Sequence, residues 1–125
     1  MLGATLPTNG AGYIQFISPE ALQDVPVSTS TVHDILIPMY AGLYNVPTTT
    51  LDKVVSCESG YGEYQEGDHG TSFGLSQIHL PAHPDITKQQ AYNPFFSLNY
   101  MASEISKGHG SMWTCYQKYF GSTDT

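Results

Sequence analysis

Residues 48–60 read Thr48-Thr49-Thr50-Leu51-Asp52-Lys53-Val54-Val55-Ser56-Cys57-Glu58-Ser59-Gly60, and this stretch decides how the chain is to be read. Leu51, Val54, Val55 and Glu58 lie at steps of three, four and seven from the first, so a helix puts all four on one face. Thr48-Thr49-Thr50 offers N-caps, and Ser59-Gly60 provides the stop. On that face Glu58 breaks the rule that charge points outward. A carboxylate among apolar side chains loses hydration, which disfavours its ionised form. It also stands in the last turn, where the negative end of the helix dipole opposes an anion. Both effects raise its pKa, as a general acid working near neutral pH requires. The plainer alternative is a glutamate that reaches to the surface at a frayed helix end.

Upstream, Val32, Ile35, Leu36, Met39, Tyr40 and Leu43 fall at helical spacing and predict one apolar stripe. Pro38 should kink that helix or mark its true first turn. Residues 1–30 are rich in Gly, Pro, Ser and Thr and read as an irregular arm, with one short helical turn where Ser18 caps and Pro19 follows. Residues 31–125 then form the single folded domain. Downstream, residues 61–80 carry four glycines, no helical period and a Gly67-Asp68-His69-Gly70 turn, which fits a small hairpin or loop. Thr87 with Gln90, and Asn93 with Pro94, are two helix starts. The second opens a helix bearing Leu98, Met101, Ala102 and Ile105 that ends at Gly108. A last helix is expected from Ser111 through Met112, Trp113, Tyr116 and Tyr119 to Gly121. The class predicted is α+β, mostly α.

The chain has 125 residues, enough for one packed core. Charged residues make up 12%, about half the usual share. Four lysines, no arginine and eleven acidic residues leave a net charge of −7. Binding nucleic acid through phosphates needs clustered basic side chains, which are absent, and an anionic membrane surface would repel the chain. No apolar run reaches the length of a membrane span. A polymer ligand would have to be held by hydrogen bonds and ring stacking. Nine Tyr, five Phe and one Trp exceed what so small a core needs, so some should line a groove. No export signal is visible at residues 1–8.

Cys57 and Cys115 are open to three readings from spacing alone: two buried thiols, a metal pair or one disulfide. Without CxxC spacing zinc is disfavoured. A disulfide closing a loop this long would contribute roughly 4 kcal/mol in the chain-entropy model. His79 and His83 form HxxxH, but no Glu follows the first and Pro81 forbids a regular helix, so they read as loop histidines. No metal or cofactor is expected.

Two further segments complete a pattern. Cys57-Glu58-Ser59-Gly60 followed by Ser72-Phe73-Gly74-Leu75-Ser76-Gln77-Ile78 resembles the catalytic signature of soluble lytic transglycosylases and their lysozyme relatives. In that family a helix ends in Glu-Ser, and a Gly-Leu-x-Gln-Ile strand follows a short loop. Tyr44-Asn45-Val46-Pro47 is similar to the family's turn into the catalytic helix, and Asn93-Pro94 with Asn99 resembles its next helix. Trp113-Thr114-Cys115, taken with Cys57-Glu58, resembles the resuscitation-promoting-factor branch. The matches span roughly residues 40–116. The family's Tyr-Asn-Ala-Gly segment is absent, and Phe73 separates Ser72 from Gly74.

The resemblance implies a lysozyme-like fold with a small β-hairpin beside the catalytic helix. It implies cleavage of the β-1,4 bond from N-acetylmuramic acid to N-acetylglucosamine in peptidoglycan strands. Glu58 would be the acid and then the base. Gln77 would hydrogen-bond substrate, Gly74 would let the backbone approach the sugar, and Ser72 would lie near a serine the family uses. Tyr116 or Trp113 would supply the aromatic wall. In the resembling branch the two matched cysteines are joined, which implies a Cys57–Cys115 disulfide and an extracytoplasmic location. A monomer is expected. Asp68, Glu66 and Glu63 lie in the loop where a second carboxylate would serve, with Asp68 foremost and all three expected as solvated loop charges. One well-placed carboxylate favours 1,6-anhydro products over hydrolysis. The competing reading is a lysozyme-like module that binds glycans or a protein without turnover.

Overall fold

The computed structural model describes residues 27–121, and the turn expected at Ser18 and Pro19 lies outside them. Among the described residues, six α-helices and a three-stranded sheet are built around one main core, an α+β and mostly helical arrangement. Ser28 accepts the Thr31 N–H and starts α1, Thr29–Thr31, two residues before the expected boundary. The chain continues through a wider π-helical stretch, Val32–Leu36, into α2, Ile37–Tyr44. The Ile37 N–H reaches back to the Val32 carbonyl, and Pro38 sits in the first turn of α2, the second of the two roles expected for it.

The apolar stripe predicted on this segment is corrected. Val32, Leu36, Ile37 and Ala41 are buried, whereas Ile35, Met39 and Leu43 are 58%, 48% and 65% exposed. The π turn is the physical reason, because one extra residue per hydrogen-bonded ring rotates every later side chain relative to a regular helix. Asn45, in the left-handed region, ends α2.

Helix α3, Thr48–Ser59, follows directly, and its N-cap is Pro47 rather than one of the three threonines. Leu51, Val54 and Val55 are fully buried, as the spacing predicts. Gly60, at φ 60°, closes the helix. The segment after it makes two tight hairpins. Strands β1 (Glu66–Gly67), β2 (Ser72–Phe73) and β3 (Ile78–His79) pair antiparallel in that order, with Ser72 opposite His79 and Phe73 opposite Ile78. Alternation along a strand sends Phe73 and Ile78 into a small second core with Ala91. Gly74 to Gln77, expected as part of a strand, is instead the turn between β2 and β3.

Helix α4, Lys88–Tyr92, starts with the full Thr87–Gln90 capping box. Helix α5, Pro94–Ser106, is capped by Asn93, which accepts the Phe95 and Phe96 N–H groups, and it buries Leu98, Met101 and Ala102. The final helix is shorter than expected. A 3₁₀ turn covers Gly110–Met112, Trp113 is extended, and α6 runs Thr114–Phe120. The break lets the Trp113 indole enter the core, where its N–H donates to the Ser76 carbonyl at 2.7 Å. A continuous helix would have aimed that ring elsewhere. Cys57 and Cys115 are joined, tying the end of α3 to the start of α6.

Candidate active site

Glu58 reaches the rim of a cleft of ≈ 470 Å³ that Asp68, Gln77, His79, Trp113 and Thr114 also line. The elements that bring them together are the end of α3, the two hairpins and the junction before α6. Glu58 is half-buried, and burial raises its pKa above the ordinary carboxylate value. The Cys115 backbone N–H, 3.1 Å from Oε2, opposes that rise, and the negative charge of Asp68 adds to it. The upward direction argued from the helix face therefore holds, with burial as its main cause.

Ser76 fixes the turn that forms one wall. Its N–H donates to the Ser97 Oγ at 3.0 Å, its own hydroxyl donates to the Ser97 carbonyl at 2.6 Å, and its carbonyl receives the Trp113 indole. All of this is buried, so the turn is held against α5 and Trp113 by bonds that water does not compete for. Tyr44 and Asn99 meet through a 2.6 Å hydrogen bond that ties α2 to α5.

The remaining expected residues divide. Gln77 lines the cleft, but its amide N–H groups donate to the Gln65 and Gly74 carbonyls, each at 3.0 Å, and its Oε1 is seated against Gly67, where a Cβ would come within 2.2 Å. Trp113 lines the cleft and is also core, being 4% exposed. Gly74 is required by packing: at φ 84°, a Cβ there would lie 1.9 Å from the Ala91 carbonyl oxygen. Ser72 is fully buried, and its hydroxyl donates to Asp68 Oδ2 at 2.5 Å. Tyr116 is not a wall of this cleft; its ring covers Gly110, where a Cβ would come within 2.6 Å, and meets Phe120. The early break at Trp113 turned it away.

One acidic residue of the loop, Glu63, differs from the solvated role expected of it, whereas Glu66 is exposed as expected. Glu63 is buried, with Oε1 accepting the Val27 N–H at 2.7 Å, so it anchors the start of the described chain. Glu66 is held by the Tyr92 hydroxyl at 2.9 Å and by Lys88 at 3.8 Å. His79, read as a loop histidine, is a cleft residue, as are Met112, Thr114 and Thr71. The signal for His79 was strand alternation with Ser72, legible only once the position of the turn was known. Beyond Gln77 and Trp113 the cleft continues into a more enclosed hollow of ≈ 320 Å³ walled by Ala82, His83 and Tyr100. Among the described residues no cluster of three His, Cys, Asp or Glu is placed to hold a metal ion, and no helix is long and apolar enough to cross a membrane. Compared with known proteins, the chain matches no protein-family model, no curated protein and no solved structure.

Proposed function

We propose that this chain is a peptidoglycan-cleaving glycosidase of lysozyme-like fold, with Glu58 as general acid and then general base. The observation that carries the reading is the placement of Glu58: a half-buried carboxyl at a helix end, open to a cleft, with burial holding its pKa up. A proton kept on such a group is available to the oxygen of a glycosidic bond, and the resulting carboxylate can take one back. The cleft and the hollow past Trp113 share Gln77, His79, Met112 and Trp113 as lining, so a strand of more than one sugar could occupy both. With a net charge of −7 the chain would hold that strand by hydrogen bonds and ring contacts rather than by ion pairs.

The bond attacked is the β-1,4 link from N-acetylmuramic acid to N-acetylglucosamine, and the partner is the glycan strand itself. The Cys57–Cys115 disulfide suits an oxidising compartment outside the cytoplasm. The protein would act as a monomer and without a cofactor. Digestion of purified sacculi, with soluble products separated and weighed, tests the reading. Release of muropeptides by the parent chain and none by Glu58→Gln is expected. Glycan binding without any release by the parent would make the chain a binding module instead.

A further inference from the structure

We propose that the exposed apolar face of Ile35, Met39 and Leu43 is a docking site for this chain's own residues 13–17, Tyr13-Ile14-Gln15-Phe16-Ile17. The three side chains stand at steps of four, so they form one ridge along the π-helical stretch and α2. All three are exposed, and Gly42 beside them adds no polar side chain. A helix on the surface of a folded chain ordinarily turns charged or polar residues outward. Helix α3 obeys that rule with Lys53 and Ser56. The segment before it does not, because no charged residue occurs from Ile35 to Leu51. A single exposed leucine is ordinary, whereas an apolar ridge about two turns long marks a contact surface.

The occupant follows from where the described chain starts. Residues 1–26 precede Val27, and Val27 is pinned to the body. Its N–H donates to the buried Glu63 carboxylate at 2.7 Å, and its side chain packs against the main core. Helix α1 begins at Thr29, and from there the far end of the ridge at Leu43 is about 21 Å away along the helix axis. The chain from Ile17 to Val27, fully extended, spans up to roughly 33–36 Å. Residues 13–17 therefore reach every part of the ridge.

Those residues are the most apolar run of five among residues 1–26. They also carry no charge, so a chain of net charge −7 does not repel them. Left apart, both surfaces hold apolar area in water, and contact removes it from each. A tether this short gives one surface an effective concentration for the other on the order of millimolar. A second copy of the chain lacks the tether and competes only at a comparable concentration.

Methionine oxidation tests this in the intact chain, with hydrogen peroxide as the probe and peptide masses as the readout. Met39 is 48% exposed and Met112 44%, while Met101 is fully buried, so on a bare face the first two react at similar rates. With residues 13–17 docked, Met39 should react about fivefold more slowly than Met112, because the tethered contact is occupied most of the time. Phe16→Asp with Ile17→Asp should abolish that protection and leave Met112 and Met101 unchanged. The reciprocal measurement reads the other partner. Chymotrypsin cleavage after Tyr13 and Phe16 should be several-fold faster in Ile35→Lys with Leu43→Lys than in the parent. Both of those positions are exposed, so the core stays intact, as melting curves check. Equal oxidation of Met39 and Met112 in the parent overturns the proposal. Protection of Met39 that disappears on dilution also overturns it and assigns the face to a second copy. Protection that survives Phe16→Asp with Ile17→Asp does the same for residues 13–17 as the occupant.

Discussion

The Glu58 carboxylate accepts the backbone N–H of Cys115 at 3.1 Å, and Cys115 is the disulfide partner of the residue immediately before Glu58. One covalent bond and one hydrogen bond thus join the same two points of the fold. The N–H groups of a helix's first turn have no partner within the helix, and Trp113 gives α6 no side-chain cap, so Glu58 meets a need of that helix. The same bond orients the carboxyl and restrains the rise in its pKa that burial causes.

Reducing the disulfide should therefore affect stability and site together. The chain-entropy model gives a loss of about 4 kcal/mol for a loop of this length. Melting curves with and without reductant should show a fall in Tm. Intact-mass analysis should show no alkylation of the folded, unreduced protein. Two thiols alkylated under native conditions would refute the bond.

Glu58→Gln should abolish turnover while leaving the fold and glycan affinity in place. Gln is nearly isosteric, so Leu51, Val54 and Val55 keep their packing. It cannot donate and recover a proton, a contribution of roughly 10² to 10⁴ in rate. Loss in kcat with little change in affinity for muropeptides is the expected split. Substantial residual cleavage of sacculi would mean that another group is the acid.

The same substitution should change the pH dependence of stability, and its sign follows from the raised pKa. Between pH 4.5, the ordinary glutamate value, and its own higher value, folded Glu58 holds a proton that the unfolded chain has released. The parent accordingly loses stability as pH rises through that window. Glu58→Gln has no such loss, so its Tm should match the parent's below pH 4.5 and exceed it at neutral pH. Equal differences in Tm at both pH values would contradict the burial argument.

Asp68→Asn should move the alkaline limb of the activity profile to lower pH. The charge of Asp68 opposes ionisation of Glu58, so neutralising it lets the acid lose its proton earlier. Rate against pH for whatever cleavage the variant retains reads this out. A limb that stays in place would mean that the two carboxyls do not sense each other.

Gly74→Ala should destabilise the protein strongly although its Cα is near the cleft. Left-handed backbone alone costs about 1–2 kcal/mol for a residue with a Cβ, and here the Cβ would also drive into the Ala91 carbonyl at 1.9 Å. A large drop in Tm is expected, and the backbone contact leaves no flexible side chain to give way. Near-parental stability would show that the turn can rearrange.

Much of the helical framework was legible because its signals are local. The Thr87–Gln90 box, the Asn93-Pro94 start and the Gly60 stop depend on residues within one turn of each other, and each is found where the pattern predicts. The buried face of α3 follows from a regular period. The period misled at Ile35, Met39 and Leu43 because the π turn over Val32–Leu36 shifted the phase, and nothing in the residue types alone announces that insertion. Trp113 misled in a similar way: its place in a helical run was overridden by a buried hydrogen bond to Ser76, far away in sequence.

For the site, the sequence by itself determined which group could be the acid. An acidic residue on an apolar helix face near the helix end loses hydration, which favours its neutral form, and Glu58 is the residue so placed. Only the tertiary structure decided what faces it. The register that puts His79 opposite Ser72, the bond from Ser72 to Asp68 and the turning of Tyr116 toward Gly110 are all set by contacts between segments. Side-chain periodicity fixes which way a residue points within its own element. The position of one element against another is set by the close packing of the core and the pairing of buried polar groups, and neither is written in any single stretch of chain.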